Sequence, residues 1–486
     1  MPRTLLTGLR TPGARPTALE VADGRITWVG PTADAADRAA GAAVQDWHGA
    51  TVTPPFVDAH VHATASGLLI DGLDLTECRT PGQLLDAVAA APPAAVLWGH
   101  GWEENRWSPV RVPTRAELDR AASGRPVYLS RIDVHSALVS TALVDRAPGT
   151  VGAEGWSPDG PLAAAAHHHV RRAALAALDS GQRRAAQRAF LDLAASRGVG
   201  TVHECAGPDV SGRNDLADLL GADLLGADSG VEVVGYWGEA VGTADEARDL
   251  VARTGAAGLA GDLFVDGSIG SRTAALREPY ADAPGCRGNR YLDADAVATH
   301  LVACTRAGIR AGFHVIGDGG ADLVLAGLDA AAAATSPEAV RAARHRLEHL
   351  EMVDARQIAR LAELGVVASV QPAFDAAWGG PAGMYATRLG PARAATMNPF
   401  AQLHAAGVPL EFGSDSPVTP VDPWAGVRAA VEHTNPDLAV DPGTALAAHT
   451  GGAQLREGAP ASYALWDGAT CLRLVRAGRT LHETRR

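Results

Sequence analysis

Two histidines one residue apart, in Phe56-Val57-Asp58-Ala59-His60-Val61-His62, begin a series of residues able to do metal chemistry. Side chains on an extended strand alternate with period two, so His60 and His62 share a face. Two neutral imidazoles placed that way can hold one divalent cation. Further along, His314 in Phe313-His314-Val315 and His349 in Leu347-Glu348-His349 offer nitrogen, and Asp415 in Gly413-Ser414-Asp415-Ser416-Pro417 offers oxygen. One strand-end histidine is usually structural, but five ligand-type residues at successive strand ends are hard to explain that way. A zinc-like ion held by such a set would bring the pKa of its water to about 7 and polarise a carbonyl. Asp415 is then the candidate general base and acid, and His349 the candidate stabiliser of the oxyanion.

Other chemistries are less well served. No GxSxG elbow precedes a helix, which removes a serine hydrolase. Gly317-Asp318-Gly319-Gly320 lacks the spacing of a nucleotide-binding loop. His167, His168 and His169 are adjacent on an apparent helix, where neighbours diverge, and read as surface. His203 reads as a hydrogen-bonded neighbour of the site, and Cys205 as a thiolate ligand or, more commonly for such a residue, a buried, inert thiol.

The elements that must position these residues alternate between short apolar runs and Ala/Leu/Arg-rich helical stretches. Eight candidate strands are 51–57, 126–130, 199–203, 262–266, 309–314, 346–349, 366–370 and 408–412, with helical periodicity clear in 183–195, 294–307 and 355–364. That alternation predicts an α/β fold, a parallel (β/α)8 TIM-type barrel, whose strand ends carry the active site. Both chain termini instead show short alternating stretches punctuated by glycine, so residues 1–52 and 455–486 are expected to build one small β-sandwich domain around a barrel of residues 53–454. The segment after the first strand, roughly 66–125 with Trp98, Trp102 and Trp107, is too long for a crossover and reads as an inserted subdomain.

The 486 residues carry 42 basic and 55 acidic side chains, a net charge of −13, without a basic tract. Nucleic acid is therefore a poor partner, since phosphate binding needs clustered positive charge. No apolar run approaches the ~20 residues that span a bilayer. The five cysteines show no CxxC pairing, and Met1–Leu6 lacks a secretory core, so a cytoplasmic protein with a small-molecule substrate is expected. A homodimer is the assembly expected from general frequency alone. All 42 basic residues are arginine; the chain has no lysine.

Several motifs occur together and in order. Pro54-Pro55-Phe56-Val57-Asp58-Ala59-His60-Val61-His62 resembles the PGFxDxHxH opening of the amidohydrolase superfamily. Asp266-Gly267-Ser268-Ile269-Gly270-Ser271-Arg272-Thr273-Ala274-Ala275-Leu276 resembles the DGSLGSRTAAL signature of its YtcJ-like group (amidohydrolase family 3). His314–Asp318 is similar to HAIGD, Arg346–His349 to RIEH, Gly413–Val418 to GSDxPV, and Arg131–Ser136 to RxDxHS. The resemblance implies the barrel, the two-ended β domain, a divalent metal and hydrolysis of an amide-like C–N bond. Arg131, Asp133, His135, Asp266 and Arg272, with Trp102 from the insertion, are expected to frame the substrate, although the arginines could equally be loop-holding ion pairs and Trp102 subdomain core.

One departure stands out. The group's lysine, which bridges two metals once carboxylated, falls in register on Asp262. Three readings stay open: one ion held by His60, His62, His314 and Asp415 with His349 nearby; two ions bridged by Asp262 or Glu204; or lost catalysis. The missing lysine favours one ion. A single-metal deaminase and a metal-retaining, non-catalytic binding protein are the alternatives to a C–N hydrolase.

Overall fold

The computed structural model describes residues 3–70, 72–221 and 230–484; residues 1–2 and 485–486 of the terminal domain and residue 71 of the insertion lie outside them. Eight parallel strands follow one another around a barrel: Phe56–Val61, Val199–Ala206, Glu232–Trp237, Gly258–Leu259, Arg310–Val315, Arg346–His349, Val367–Val370 and Leu410–Phe412. The eighth returns to the first through a parallel bridge between Val61 and Ser416 and the hydrogen bonds Asp415 N to His60 O (2.8 Å) and His62 N to Ser416 O (2.9 Å). Nearly continuous apolar runs such as Val367–Val370 suit strands covered on both faces.

The helices outside are set by local signals. Asp354 accepts from Gln357 N while Gln357 returns a bond to Asp354 N, a capping box that starts helix Ala355–Glu363, and Ile358 and Leu361 then face the barrel. Gly308, at φ 69°, ends helix Ala294–Ala307 in the left-handed conformation. Among the described residues no single helix is long and apolar enough to cross a membrane.

Four expectations about elements need correction. The first barrel strand begins at Phe56; residues 51–53 belong to the terminal sheet, because Pro54-Pro55 cannot donate to a ladder and breaks the run. The stretch 126–130 is not a barrel strand but part of the insertion's own sheet. The third barrel strand, Glu232–Trp237, has no clear signature because Gly235 interrupts it where a side chain would strike Leu216. The regular fourth strand is Gly258–Leu259, after which Gly261 (φ 78°) turns the chain; 262–266 then runs beside the fifth strand through His314 N to Leu263 O and Val265 N to His314 O, both 3.0 Å. That turn carries Asp262 over the barrel mouth.

Both chain ends form one seven-stranded sheet, ordered Arg479–Glu483, Thr470–Arg476, Tyr463–Asp467, Ala43–Thr53, Thr4–Arg10, Pro16–Ala22 and Arg25–Pro31. The insertion holds a five-stranded sheet running from Leu73–Asp74 to Leu162–Ala163, so it extends well past residue 125. Its helix Ala164–Ala176 brings residues to the cavity at the barrel mouth.

Candidate metal centre

His60, His62, Asp262, His314, His349 and Asp415 converge at one end of the barrel. The eighth-strand loop is held close to the first strand: Asp58 Oδ1 accepts from Ser414 N at 2.8 Å, and a Cβ on Gly413 would lie 2.5 Å from His60 N. This approach fixes Asp415, whose backbone sits at φ 54°. His60 Nε2 is 3.5 Å from Asp262 Oδ1 and 3.5 Å from Asp415 Oδ1. His62 Nε2 is 3.2 Å from Asp262 Oδ2 and 3.2 Å from Asp415 Oδ1. The His314 ring lies 4.4 Å from that of His349 and 5.0 Å from that of His135.

The orientation of two imidazoles is set from behind. His60 Nδ1 is 2.9 Å from Glu348 Oε2, which leaves Nε2 facing the two aspartates. His349 Nδ1 is 2.7 Å from Gln371 Oε1. With Nδ1–H donated there, Nε2 presents a lone pair, which suits a metal ligand better than an oxyanion donor. Glu348 is in turn gripped by Arg346, whose Nε is 2.6 Å from Glu348 Oε1 and whose other nitrogens reach Ser369, Ala59 O, Glu411 and His203 Nδ1.

Electrostatically the cluster is unfinished. His60 Nε2, His62 Nδ1, His314 Nδ1, Asp262 Oδ1 and Asp415 Oδ1 are buried without a hydrogen-bond partner. Burial pulls His62 down, but hydrogen bonds and charge from Asp262 and Asp415 outweigh it and lift it to about 10. Burial pushes Asp262 and Asp415 up, yet the facing imidazoles hold both below the usual carboxylate range. His349 is pushed down to about 3 by burial and by His314. Buried carboxylates that face imidazole nitrogens, with no arginine paired to them among the described residues, are a donor set able to hold a divalent cation. Of the three close donor triads among the described residues, His60–Cys205–Glu348 lies behind the His60 ring, and His60–His62–Asp415 and His60–Asp262–His349 belong to this cluster. Both of the cluster's triads share His60, whose Nε2 is the nitrogen left free by Glu348.

The other expected residues divide. Arg131, Asp133 and His135 line a cleft of about 380 Å³ together with His314, His349 and Asp415. Arg131 is already engaged, at 3.0 Å from Asp133 and 2.9 Å from Glu104. Trp102 does not reach the cleft: it packs on Trp107 in the insertion's core and donates to Leu129 O. Asp266 is fully buried and spent on Ala275 N, Ile316 N and Gly317 N at 2.8–2.9 Å, tying two loops together. Arg272 points away from the cleft to Asp282, at 2.7 Å. Glu204 accepts from Ala63 N at 2.7 Å, and burial followed by the Asp215 charge raises it to about 8, so it is protonated at neutral pH, unlike Asp262. Two of the three adjacent histidines are not surface: His167 is buried on the Tyr128 hydroxyl (2.7 Å), and His168 packs on Phe264, because their helix lies against the barrel mouth, whereas His169 meets Arg172 in an exposed hydrogen bond. Cys205 is buried with its thiol pushed well above the usual range, and His203 accepts from Arg346.

Sequence reasoning missed Glu348, Gln371 as the partner of His349, and Glu351. Arg346 and Glu348, two residues apart on a fully buried strand, were a usable signal, because charges on such a strand must pair. Glu351 lines the same cleft, touches the Tyr385 hydroxyl, and is raised by burial to about 7.

The family model described as Amidohydrolase family matches residues 43–472. YtcJ of Bacillus subtilis (strain 168) is 28% identical over 414 residues, covering 79% of this chain and 74% of that protein. The N-substituted formamide deformylase of Arthrobacter pascens is 25% identical over 499 residues, covering 89% and 84%. Among solved structures, an uncharacterized metal-dependent hydrolase from Pyrococcus furiosus matches with a TM-score of 0.71 at 25% identity, over 96% of this chain and 99% of that one.

Proposed function

We propose, from the premise that the chain belongs to the amidohydrolase family, that it hydrolyses the C–N bond of a small amide, N-acyl or formamide-like compound at one zinc-like ion. The observation that carries this reading is the pair of aspartates, Asp262 and Asp415, each 3.5 Å from His60 Nε2 and 3.2 Å from His62 Nε2, with no arginine ion-paired to either among the described residues. His60, His62 and Asp415 would hold the ion, with Asp262 in the place of the missing lysine and His314 and His349 beside it. When bound, the ion supplies an activated water and polarises the carbonyl.

The chain's own residues do the rest. Glu348 and Gln371 fix the His60 and His349 rings. Asp415, ionised because the imidazoles lower it, accepts the proton released as water attacks the carbonyl carbon and returns it to the leaving nitrogen. A relative that is a formamide deformylase supports the C–N class. The reading takes a small molecule as the partner, with neither nucleic acid nor membrane, and a homodimer as the assembly. A cytoplasmic setting goes with it, in keeping with five free cysteines.

Metal analysis of the purified protein, with amine release from a panel of amides, tests this. About one equivalent of metal is expected, as for a single catalytic ligand set that leaves one position to water. Two equivalents overturn the single ion, and hydrolysis that survives complete metal removal overturns the scheme.

A further inference from the structure

We propose that Arg171 anchors a carboxylate on the substrate, so that the compound hydrolysed is an acid as well as an amide. The proposal rests on the hydrolase reading for its location and names the substrate class of that same site. Among the described residues five arginines are buried, and four of them donate hydrogen bonds to the protein. Arg115 donates to Ser157 O and Pro158 O; Arg131 holds Glu104 and Asp133; Arg346 holds Glu348 and Glu411; Arg388 holds Glu104 and Asp282. Arg171 is the exception. It is 8% exposed, yet among the described residues it has neither a hydrogen bond nor an ion pair.

Its position gives this meaning. On helix Ala164–Ala176, Arg171 borders the space of about 410 Å³ that His62, Asp262 and Asp415 also border. It borders as well an adjoining cleft of about 520 Å³ with apolar walls from Leu69, Trp98 and Leu175. Arg172, next in sequence, faces out to Asp209 at 3.4 Å and cannot serve the cavity.

A guanidinium that opens on a cavity without a protein counter-charge is available to an anion, and its fork matches a carboxylate with two parallel hydrogen bonds. Burial keeps His167 and His168 uncharged, so the helix brings one positive charge to the cavity. One charge fits a carboxylate; a phosphate dianion would call for a second. The apolar walls fit a hydrocarbon substituent on the same molecule.

The test is isothermal titration of two matched pairs into wild type, Arg171→Gln and Arg171→Lys, each metal-loaded and metal-stripped. N-acetylphenylalanine against N-acetylphenylalaninamide puts the carboxylate on the amine side of the C–N bond. N-benzylsuccinamic acid against N-benzylsuccinamide puts it on the acyl side. Wild type is expected to bind the acid of at least one pair about tenfold or more tightly than its neutral partner, as a charge-assisted pair provides. Arg171→Gln should bring that ratio close to one, and Arg171→Lys should restore part of it. A preference kept in metal-stripped protein assigns it to Arg171 rather than to the ion.

No acid preference in wild type, including no binding of either member, overturns the proposal, as does an unchanged ratio in Arg171→Gln. If Arg171→Gln does not fold, Arg171→Met and the lysine variant take its place in the same comparison. Amine release is read separately. Acid preference without hydrolysis of any amide would keep the anchor and remove the hydrolase reading, whereas hydrolysis of neutral amides without acid preference would do the reverse.

Discussion

Two buried charge clusters meet at His60, and they are built on opposite principles. Behind the ring, Arg346 is enclosed by Glu348, Glu411, Ser369 and the Ala59 carbonyl, so its charge is met by protein on every side. In front of the ring, Asp262 and Asp415 face imidazoles, and five polar atoms of the cluster are left without a hydrogen bond. Glu351, which borders the same cleft, shows what becomes of a buried acid with neither arrangement: burial raises it to about 7. A closed network supports structure; an open one of hard and borderline donors asks for a ligand from outside.

The largest expected effect tests the open cluster. Asp415→Asn should lower kcat by about 10²–10⁴-fold, the range for a lost general acid–base group. The measurement is steady-state turnover on an amide found in the panel, alongside metal content. Near-normal turnover with metal retained would remove the proton-transfer role.

Breaking the closed cluster should be felt in stability. Arg346→Met strands Glu348 and Glu411, and is expected to cost about 3–5 kcal/mol in chemical denaturation. A smaller loss would mean that the Arg346 network is less essential than its enclosure suggests.

Glu351 sharpens the contrast through pH. Its carboxyl is raised in the folded protein, so the neutral form is favoured there, and folding loses stability as pH rises from the unfolded value of about 4.3 towards 7. Glu351→Gln should remove a pH-dependent loss on the order of 3 kcal/mol. Denaturation of both proteins at pH 5 and pH 8 measures it; equal slopes would refute the assignment. The smallest expected effect joins the two clusters. Glu348→Gln should weaken metal affinity by about 10–100-fold, as changes to the groups that orient a ligating histidine do. Competition with a chelator reads this directly, and unchanged affinity would separate the clusters.

The barrel was largely legible because a short, nearly continuous apolar run such as Val367–Val370 is stable only where both of its faces are covered. It was illegible where glycine intervened: Gly235 hid the third strand, and the turn at Gly261 shifted the fourth. Trp102, Asp266 and Arg272 misled for a different reason. Their residue types suit a binding site, but the partners that occupy them, Leu129 O, three backbone amides and Asp282, lie far away or across a fold. Arg171 was invisible because Arg171-Arg172 on an alanine-rich helix looks like a solvated face.

By itself the sequence determined which atoms could act: two imidazoles on one strand face, further nitrogen and oxygen donors at later strand ends, and no lysine to carboxylate. These follow from covalent structure and strand periodicity. Only the tertiary structure decided that Asp262, and not Glu204, confronts both His60 and His62. It also decided that Arg131 is spent on Glu104 and Asp133 while Arg171 is left open to the cavity. The physical reason is that a side chain's charge state and availability depend on desolvation and on which partners packing brings within reach, and residues distant in the chain supply both.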